Sequence, residues 1–396
     1  MDITIQPKKL SGTLAAIPSK SQAHRLLICA AFADNKTNLY CPQINRDIQA
    51  TADCLRALGA TITRTETGFE VIPAKQIPQA AVLNCCESGS TLRFFLPIVG
   101  ALGIDATFLM EGRLPQRPLS PLWEEMERMG CSLSRPSDST IRCIGQLKSG
   151  DYTISGGVSS QFITGLLFAL SLMSQPSKLQ VTGQIESKPY IGMTLHALET
   201  FSVTIAENNQ CYCIIPHPFH SPKELTVEGD WSNAAFWLSA NALGSGLEIT
   251  NLNQNSAQGD RLVTAYLNLL EQNCIIDSAQ TPDLVPVLAV VAGAKKGAIF
   301  TNAGRLRLKE TDRLLTTAAL INNLGGCARI AGDCLIVEGT GYTHGDVDAT
   351  NDHRIAMAAA IAATVCNGPV TIHSAQSVEK SYPHFWDDYR RLGGIL

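Results

Sequence analysis

The stretch Ser21–Phe32, SQAHRLLICAAF, followed by Thr37–Tyr40, TNLY, and Ile48–Leu58, IQATADCLRAL, is the first turn of a pattern that runs through the whole chain. Its first segment is apolar nearly all round, with Leu26, Leu27, Ile28, Ala30 and Ala31, which predicts a buried helix. Thr37–Tyr40 reads as a short strand. Ile48–Leu58 has helical spacing and stops at Gly59, a residue suited to a helix C-cap. Two further strand-like runs, Ala60–Thr65 and Phe69–Ile72, meet around Thr67-Gly68, a hairpin signal. One unit therefore reads as two helices and about four short strands.

The unit recurs six times. Apolar helices are expected to begin near Ser21, Ser88, Ser159, Trp231, Asp283 and Asp352, and amphipathic ones near Ile48, Leu119, Ile191, Asp260, Asp312 and His384. From first kind to second the steps are 27, 31, 32, 29, 29 and 32 residues; from second back to first they are 40, 40, 40, 23 and 40. Such self-similarity marks a repeat architecture. Further hairpins are expected at Asn208-Asn209 and Gly332-Asp333, and the 23-residue step predicts a truncated hairpin before Asp283. Buried helices flanked by hairpins imply helices inside and strands outside. Three units on each side of about Glu228 suggest two domains: residues 1–17 with 229–396, and residues 18–228. The strand at Ile3–Ile5 and its continuation before Pro18 could complete a sheet of either half. The crevice between two such domains is the default place for a ligand.

Composition narrows the chemistry. The 396 residues are 45% hydrophobic and 17% charged, with a net charge of −4, which argues against a broad surface for nucleic acid. Apolar runs such as Leu284–Ala294 are too short to span a bilayer. The start Met1-Asp2-Ile3-Thr4 shows no basic and apolar leader, so a cytoplasmic protein is expected. The thirteen cysteines, scattered in apolar segments without zinc spacing, are expected to be small buried thiols in a reducing compartment. His217-x-x-His220 lies in a proline-rich loop and reads as solvated, and no metal site is expected.

The unusual polar residues cluster at helix fronts, where free N–H groups and the helix dipole favour anions. Lys20-Ser21 opens the first apolar helix, with Arg25 one turn in; Ser88-Gly89-Ser90 opens the second, followed by Arg93; Ser159-Ser160-Gln161 opens the third. Any one serine could be only a helix cap. Arg117-Pro118 and Ser187-Lys188-Pro189-Tyr190 precede amphipathic helices. The run Arg305-Leu306-Arg307-Leu308-Lys309-Glu310-Thr311-Asp312-Arg313 is the densest in charge. Such a run is often just a solvated face. Its alternation suggests instead a strand carrying Arg305, Arg307 and Lys309 on one side. Asn351-Asp352-His353-Arg354 and Lys380-Ser381-Tyr382-Pro383 open the last two helices. The cations suffice for two multiply charged phosphorylated ligands. No Walker or dinucleotide-binding glycine motif is present.

The segments Ser19-Lys20-Ser21-x-x-His24-Arg25, Ser88-Gly89-Ser90-Thr91-x-Arg93, Arg117-Pro118, Ser159-Ser160-Gln161 and Lys188-Pro189-Tyr190-Ile191 resemble those of the 5-enolpyruvylshikimate-3-phosphate synthase family. So do Glu228-Gly229-Asp230, Gln258-Gly259-Asp260, Lys309-Glu310-Thr311-Asp312-Arg313, Asn351-Asp352-His353-Arg354 and Lys380-Ser381-Tyr382-Pro383, and the whole set runs in family order over nearly the full chain. The resemblance implies an α/β fold, the two-domain inverted α/β barrel of six repeats. It implies transfer of the carboxyvinyl group of phosphoenolpyruvate to the 5-hydroxyl of shikimate 3-phosphate, with no cofactor and a monomeric enzyme.

Carried over by position, Lys20, Ser21, Arg25, Ser159, Ser160, Gln161, Ser187, Tyr190, Asp283 and Lys309 resemble the family's shikimate 3-phosphate set. Lys20, Gly89, Arg117, Gln161, Arg313, Arg354 and Lys380 resemble its phosphoenolpyruvate set. The resemblance further implies catalytic roles for Asp283, Glu310, Lys20 and Lys380, with Asp283 and Lys309 near the 5-hydroxyl and Glu310 and Lys380 near the reacting double bond. Closure of the domains would then gather the cations and exclude water. Two positions depart from the family: Glu87 stands where many members carry Asn, and Arg305 where some carry Asn. Competing readings are the sister transferase acting on UDP-N-acetylglucosamine, whose Lys-Asn opening differs from Lys20-Ser21, and a catalytically silent binding protein on the same fold.

Overall fold

The structure is a computed structural model describing all 396 residues, Met1–Leu396. Twelve α-helices follow the predicted order: α1 (Lys20–Ala31), α2 (Arg46–Ala57), α3 (Gly89–Leu102), α4 (Leu122–Arg128), α5 (Ser160–Ser171), α6 (Lys188–Thr200), α7 (Trp231–Ala242), α8 (Val263–Leu269), α9 (Val285–Ala294), α10 (Arg313–Asn323), α11 (His353–Ala363) and α12 (Phe385–Arg391). The chain divides into two compact units, Lys20–Val227 and Met1–Ser19 with Glu228–Leu396.

In the Lys20–Val227 unit three four-stranded sheets share one topology. The order is Glu224–Thr226, Thr37–Tyr40, Gly68–Ile72, Thr61–Arg64 in the first; Ala80–Asn84, Asp105–Leu109, Thr140–Gly145, Cys131–Ser137 in the second; and Asp151–Ser155, Ser177–Thr182, Cys211–Ile214, Ala206–Asn208 in the third. In each, the first two strands run parallel and the last two form an antiparallel hairpin. Register fixes which face is apolar. Leu39 opposite Phe69 and Ile62 opposite Val71 point together into the core, while Ile72 faces out. The last hairpin turns at Asn209-Gln210, one residue beyond the predicted centre, and both residues adopt positive φ, as such a tight turn requires.

The other unit carries the same plan with parts removed. Cys274–Asp277, Ala298–Thr301, Cys334–Glu338 and Cys327–Ala331 form the complete sheet. The sixth repeat has no hairpin after it; Ile3–Ile5 pairs antiparallel with Val370–His373 in its place. The strand Ser11–Ala15 pairs parallel with Gly246–Thr250 alone. Both N-terminal strands thus complete sheets of this unit. Between α8 and α9 the only strand is Cys274–Asp277, so the hairpin expected there in truncated form is absent altogether.

Inside each unit lie the apolar helices. All eleven residues of α11 are buried, and in α3 only Ser90 and Leu102 are not. Burying one such Leu or Ile contributes about 1.5–3 kcal/mol. Helices α3 and α5 pack closely at one point. Pro97 has no N–H to offer the Arg93 carbonyl, and Gly165 lets α5 come in against that oxygen: a Cβ there would lie 2.2 Å from Arg93 O and 2.8 Å from Pro97 Cγ. The short α12 is held by aromatic packing, with Trp237 stacked on Phe385 at 5.0 Å.

Three expectations are corrected. Helices α4 and α8 begin at Leu122 and Val263, three residues later than Leu119 and Asp260. Pro121 keeps the residue before it out of the helical region, and Gly259–Leu262 forms a 3-10 turn ahead of α8. Residues Gly304–Leu308 form a 3-10 turn, so Arg305, Arg307 and Lys309 do not share a strand face. The neighbouring strand Ala298–Thr301 already has partners on both edges, Asn302 turns the chain at positive φ, and only Leu306 of the two leucines is buried. All thirteen cysteines are free thiols, seven buried and six half-buried. No helix is long and apolar enough to cross a membrane.

The α3–α5 contact makes a direct prediction. Gly165→Ala should destabilise the Lys20–Val227 unit by about 1–3 kcal/mol, because neither the Arg93 backbone nor the Pro97 ring can yield cheaply. A lowered thermal midpoint by calorimetry would bear this out; an unchanged midpoint would show that the helices are not packed so closely.

Candidate active site

In the Lys20–Val227 unit the helix fronts carry hydroxyls, amides and cations. The Lys20 ammonium lies 2.8 Å from Asp47 Oδ2 at the start of α2. Arg25 is buried and ties α1 to the beginning of α6. Its Nε donates to Thr194 Oγ1 (2.9 Å), Nη1 to the Ser21 carbonyl (2.6 Å) and Nη2 to the Tyr190 carbonyl (2.9 Å). Burial lowers this guanidinium to about 10, so it stays a cation at neutral pH. Ser187, buried and at φ 54°, turns the chain into α6 ahead of Pro189.

At the front of α3, Ser88 caps the helix by accepting from the Thr91 N–H. Gly89 follows, and a Cβ on it would meet Arg117 Nη1 at 2.8 Å and Arg93 Nη1 at 2.9 Å. Two guanidiniums therefore lie against the first turn of the helix, a place that favours anions. Gln161, second residue of α5, accepts from Arg93 Nη1 (2.8 Å) and donates to Ser90 Oγ (2.9 Å). Ser159 caps α5 by accepting from the Gln161 N–H at 3.3 Å, and Ser160 is buried beside it. The departure at Glu87 has a definite geometry: its carboxylate packs over Gly112, where a Cβ would lie 1.8 Å from Oε1.

In the other unit, carboxylates occupy the helix fronts. Asp230 caps α7, Asp352 caps α11, and Asp283 sits in the 3-10 turn Pro282–Leu284 leading into α9. Asp352 and Asp283 gather cations. Arg313, the first residue of α10, is fully buried; its Nε donates to Asp352 Oδ2 (2.9 Å), its Nη1 to Asp283 Oδ1 (2.9 Å), and its Nη2 to Glu310 and to Asp352 Oδ1 (3.2 Å). The Lys309 ammonium is 3.0 Å from Asp283 Oδ1. Arg354 Nη1 donates to the Asp283 carbonyl (2.9 Å), Nη2 donates to Ser232 Oγ (2.6 Å) and lies 3.5 Å from Asp283 Oδ2. Lys380 ends the 3-10 turn Ala375–Lys380 and donates to the carbonyl of Asn351, the residue before Asp352.

These contacts set the protonation states. Burial alone would raise the Asp283 carboxyl, but the Arg354, Lys309 and Arg313 cations overrule it and hold it well below the usual carboxylate range. Asp352 is treated alike: burial raises it, Arg313 and His353 pull it down further. Burial lowers the Lys309 ammonium against the pull of Asp283, and the Arg313 and Arg305 charges add to the lowering. Asp260 moves the other way, to about 6, through burial and the nearby Asp283 charge. No group of three or more His, Cys, Asp or Glu side chains is placed to hold a metal ion.

The structure thus joins Asp283, Lys309, Glu310, Arg313 and Arg354 in one network, and Gly89, Arg117 and Gln161 in another, while Ser21, Arg25 and Tyr190 meet around α1. Sequence reasoning left Asp47, Thr194, Ser232 and Asp352 out of the site, although each bonds directly to a member of it. Asp352 announced itself as a cap before an apolar helix; a lone Ser or Thr on a helix sends no such signal.

Comparison with known proteins follows the same outline. The family profile of EPSP synthase (3-phosphoshikimate 1-carboxyvinyltransferase) matches residues 5–278 and 270–389. The 3-phosphoshikimate 1-carboxyvinyltransferase of Clostridium kluyveri is 38% identical over 416 residues, covering 100% of this chain and 98% of the relative. That of Clostridium perfringens is 39% identical over 419 residues, covering 100% and 99%. Among solved structures, EPSP synthase from Acinetobacter baumannii superposes with a TM-score of 0.82 at 20% identity, covering 100% of both chains. The enolpyruvyl transferase NikO from Streptomyces tendae does so with a TM-score of 0.76 at 17% identity, covering 99% of this chain and 97% of its own; at such identities these two speak for the fold alone. With family profile and full-length relatives in agreement, the chain belongs to the EPSP synthase (3-phosphoshikimate 1-carboxyvinyltransferase) family.

Proposed function

We propose that the charged helix fronts carry the reaction of this family, with each residue in the role its chemistry suits. The reaction is transfer of the carboxyvinyl group of phosphoenolpyruvate to the 5-hydroxyl of shikimate 3-phosphate, releasing phosphate, in the shikimate pathway to aromatic amino acids. The observation that carries the residue assignment is Asp283: an ionised, half-buried carboxylate ringed by Lys309, Arg313 and Arg354. A site for two anionic substrates needs cations, and the transfer needs a base for the hydroxyl proton. This cluster holds both.

Shikimate 3-phosphate is assigned to Lys20, Ser21, Arg25, Ser159, Ser160, Gln161, Ser187 and Tyr190, with Asp283 and Lys309 at its 5-hydroxyl. Phosphoenolpyruvate is assigned to Lys20, Gly89, Arg117, Gln161, Arg313, Arg354 and Lys380. Arginine forks match carboxylate and phosphate oxygens in pairs, whereas lysine acts as a point charge and can pass a proton. Asp283 accepts the hydroxyl proton as the oxygen adds to C2 of phosphoenolpyruvate. Glu310 or Lys380 gives a proton to the methylene carbon. The tetrahedral adduct then loses phosphate and a methyl proton, which restores the double bond. A carboxylate among three cations is a weak base. Substrate anions that draw Arg354 and Lys309 toward themselves strengthen it at the moment both ligands are bound.

Phosphate release from shikimate 3-phosphate and phosphoenolpyruvate, followed in a coupled assay, tests the activity; binding of both ligands without release would mean a silent relative. In the same assay Asp283→Ala should lower kcat by about 10²–10⁴-fold, the usual worth of a general base, with ligand binding largely kept. Near-normal turnover would remove Asp283 from the role. Gly89→Ala should push the Arg93 and Arg117 guanidiniums off the front of α3 and raise KM for phosphoenolpyruvate about tenfold or more, the equivalent of one charge-assisted hydrogen bond. An unchanged KM would show that this front does not hold that substrate.

A further inference from the structure

His24 lies one turn into α1 and is fully buried, and it begins a line of side-chain hydrogen bonds among groups that are all fully buried. His24 Nδ1 is 2.6 Å from Thr51 Oγ1 on α2, Thr51 Oγ1 is 2.8 Å from Thr91 Oγ1 on α3, and Thr91 Oγ1 donates to Ser88 Oγ at 2.7 Å. The line ends on the residue that caps α3. Gly89, with two guanidiniums against it, comes next.

The protons along this line can be assigned by counting. A threonine hydroxyl has one proton to give. Thr91 gives its proton to Ser88, so in the second bond Thr51 must be the donor. Thr51 has then spent its own proton, so His24 must donate from Nδ1. Burial, with the Lys20 and Arg25 charges adding to it, keeps this imidazole neutral well below its ordinary range. Its second nitrogen, Nε2, is therefore a bare acceptor, and it is buried with no hydrogen-bond partner. The ring stands edge-on to Phe94, centroids 6.4 Å apart.

A side chain kept only for packing would not leave a ring nitrogen unmatched in the core, because an apolar group of similar shape fills such a space at lower cost. We propose that His24 is a positioning residue: through Thr51 and Thr91 it fixes the Ser88 cap, and with it the direction of the first N–H groups of α3 and the seat of Gly89. The line crosses three helices, so it registers the front of α3 against α1 and α2. The substrate it serves is phosphoenolpyruvate; that clause rests on the assignment of Gly89, Arg117 and Gln161 made above.

Three variants and one spectrum test this. Thr51→Val keeps the shape and removes the link, His24→Leu removes the first donor, and His24→Asn retains an N–H that can reach Thr51. Thr51→Val and His24→Leu should each raise KM for phosphoenolpyruvate about tenfold, with kcat and KM for shikimate 3-phosphate changed less than about twofold. His24→Asn should recover most of the loss relative to His24→Leu. In the wild-type protein, the ¹⁵N spectrum of His24 should show a neutral ring protonated at Nδ1, a result independent of whether any variant folds. A ring protonated at Nε2, or an unchanged KM for phosphoenolpyruvate in a folded Thr51→Val protein, would overturn the proposal. So would a parallel rise of both KM values with a fallen thermal midpoint, which is the mark of a merely structural role. A rise confined to shikimate 3-phosphate would keep the positioning line and overturn the substrate assignment of the α3 front instead.

Discussion

One buried guanidinium organises the helix fronts of the Met1–Ser19 and Glu228–Leu396 unit. Arg313 has no exposed surface to speak of, yet it donates to Asp352, Asp283 and Glu310. Removing any of those carboxylates would leave the cation short of a partner in a medium that cannot solvate it, and removing the cation would strand the fully buried Asp352, while Asp283 would keep Lys309 and Arg354. The arrangement stands or falls as a set. It also dictates geometry: Asp352 caps α11, Asp283 opens α9 and Arg313 opens α10, so one side chain fixes the fronts of three helices together. Arg313 thereby adds to Arg354 and Lys309 in holding Asp283 ionised.

The two units answer the same architectural problem differently. Each must satisfy the free N–H groups of three inward-facing helices. In the Met1–Ser19 and Glu228–Leu396 unit, Asp230 and Asp352 do so with their own negative charge, and Asp352 in turn holds Arg313. In the Lys20–Val227 unit, Ser88 and Ser159 cap without charge, and Thr51, Thr91, Thr164 and Thr194 supply a neutral seam between helices. Neutral caps leave the positive ends of α3 and α5 without a compensating charge. One unit is thus built around fixed carboxylates, and the other around serines next to arginines.

Much of this was legible in the chain because repetition amplifies weak signals. Twelve helices were readable from period and spacing, whereas the 23-residue step suggested a shortened hairpin before α9 where the structure has none. The charged residues at helix fronts were equally visible, since charge in an apolar run is conspicuous. What stayed hidden was tertiary. The run from Arg305 to Lys309 alternates as a strand does, but the preceding strand Ala298–Thr301 is already paired on both sides, and Asn302 turns the chain away into the 3-10 turn that begins at Gly304. Asp47, a first-turn acid of α2, is the partner of Lys20, and nothing in the local sequence singles it out. The line from His24 to Ser88 spans helices 27 and 40 residues apart in sequence. No local pattern reports such a contact, because threonines in a buried helix look the same whether or not they bond across it.

The measurement closest to the centre of this account is the titration of the Asp283 side chain itself, followed by isotope-edited infrared or carbon NMR of the selectively labelled carboxyl. An ordinary aspartate titrates near about 4. The account predicts that Asp283 in the ligand-free protein stays ionised well below that value, because Arg354, Lys309 and Arg313 outweigh its burial. A carboxyl that titrates at or above the ordinary value would contradict it, since burial would then have prevailed over the cations.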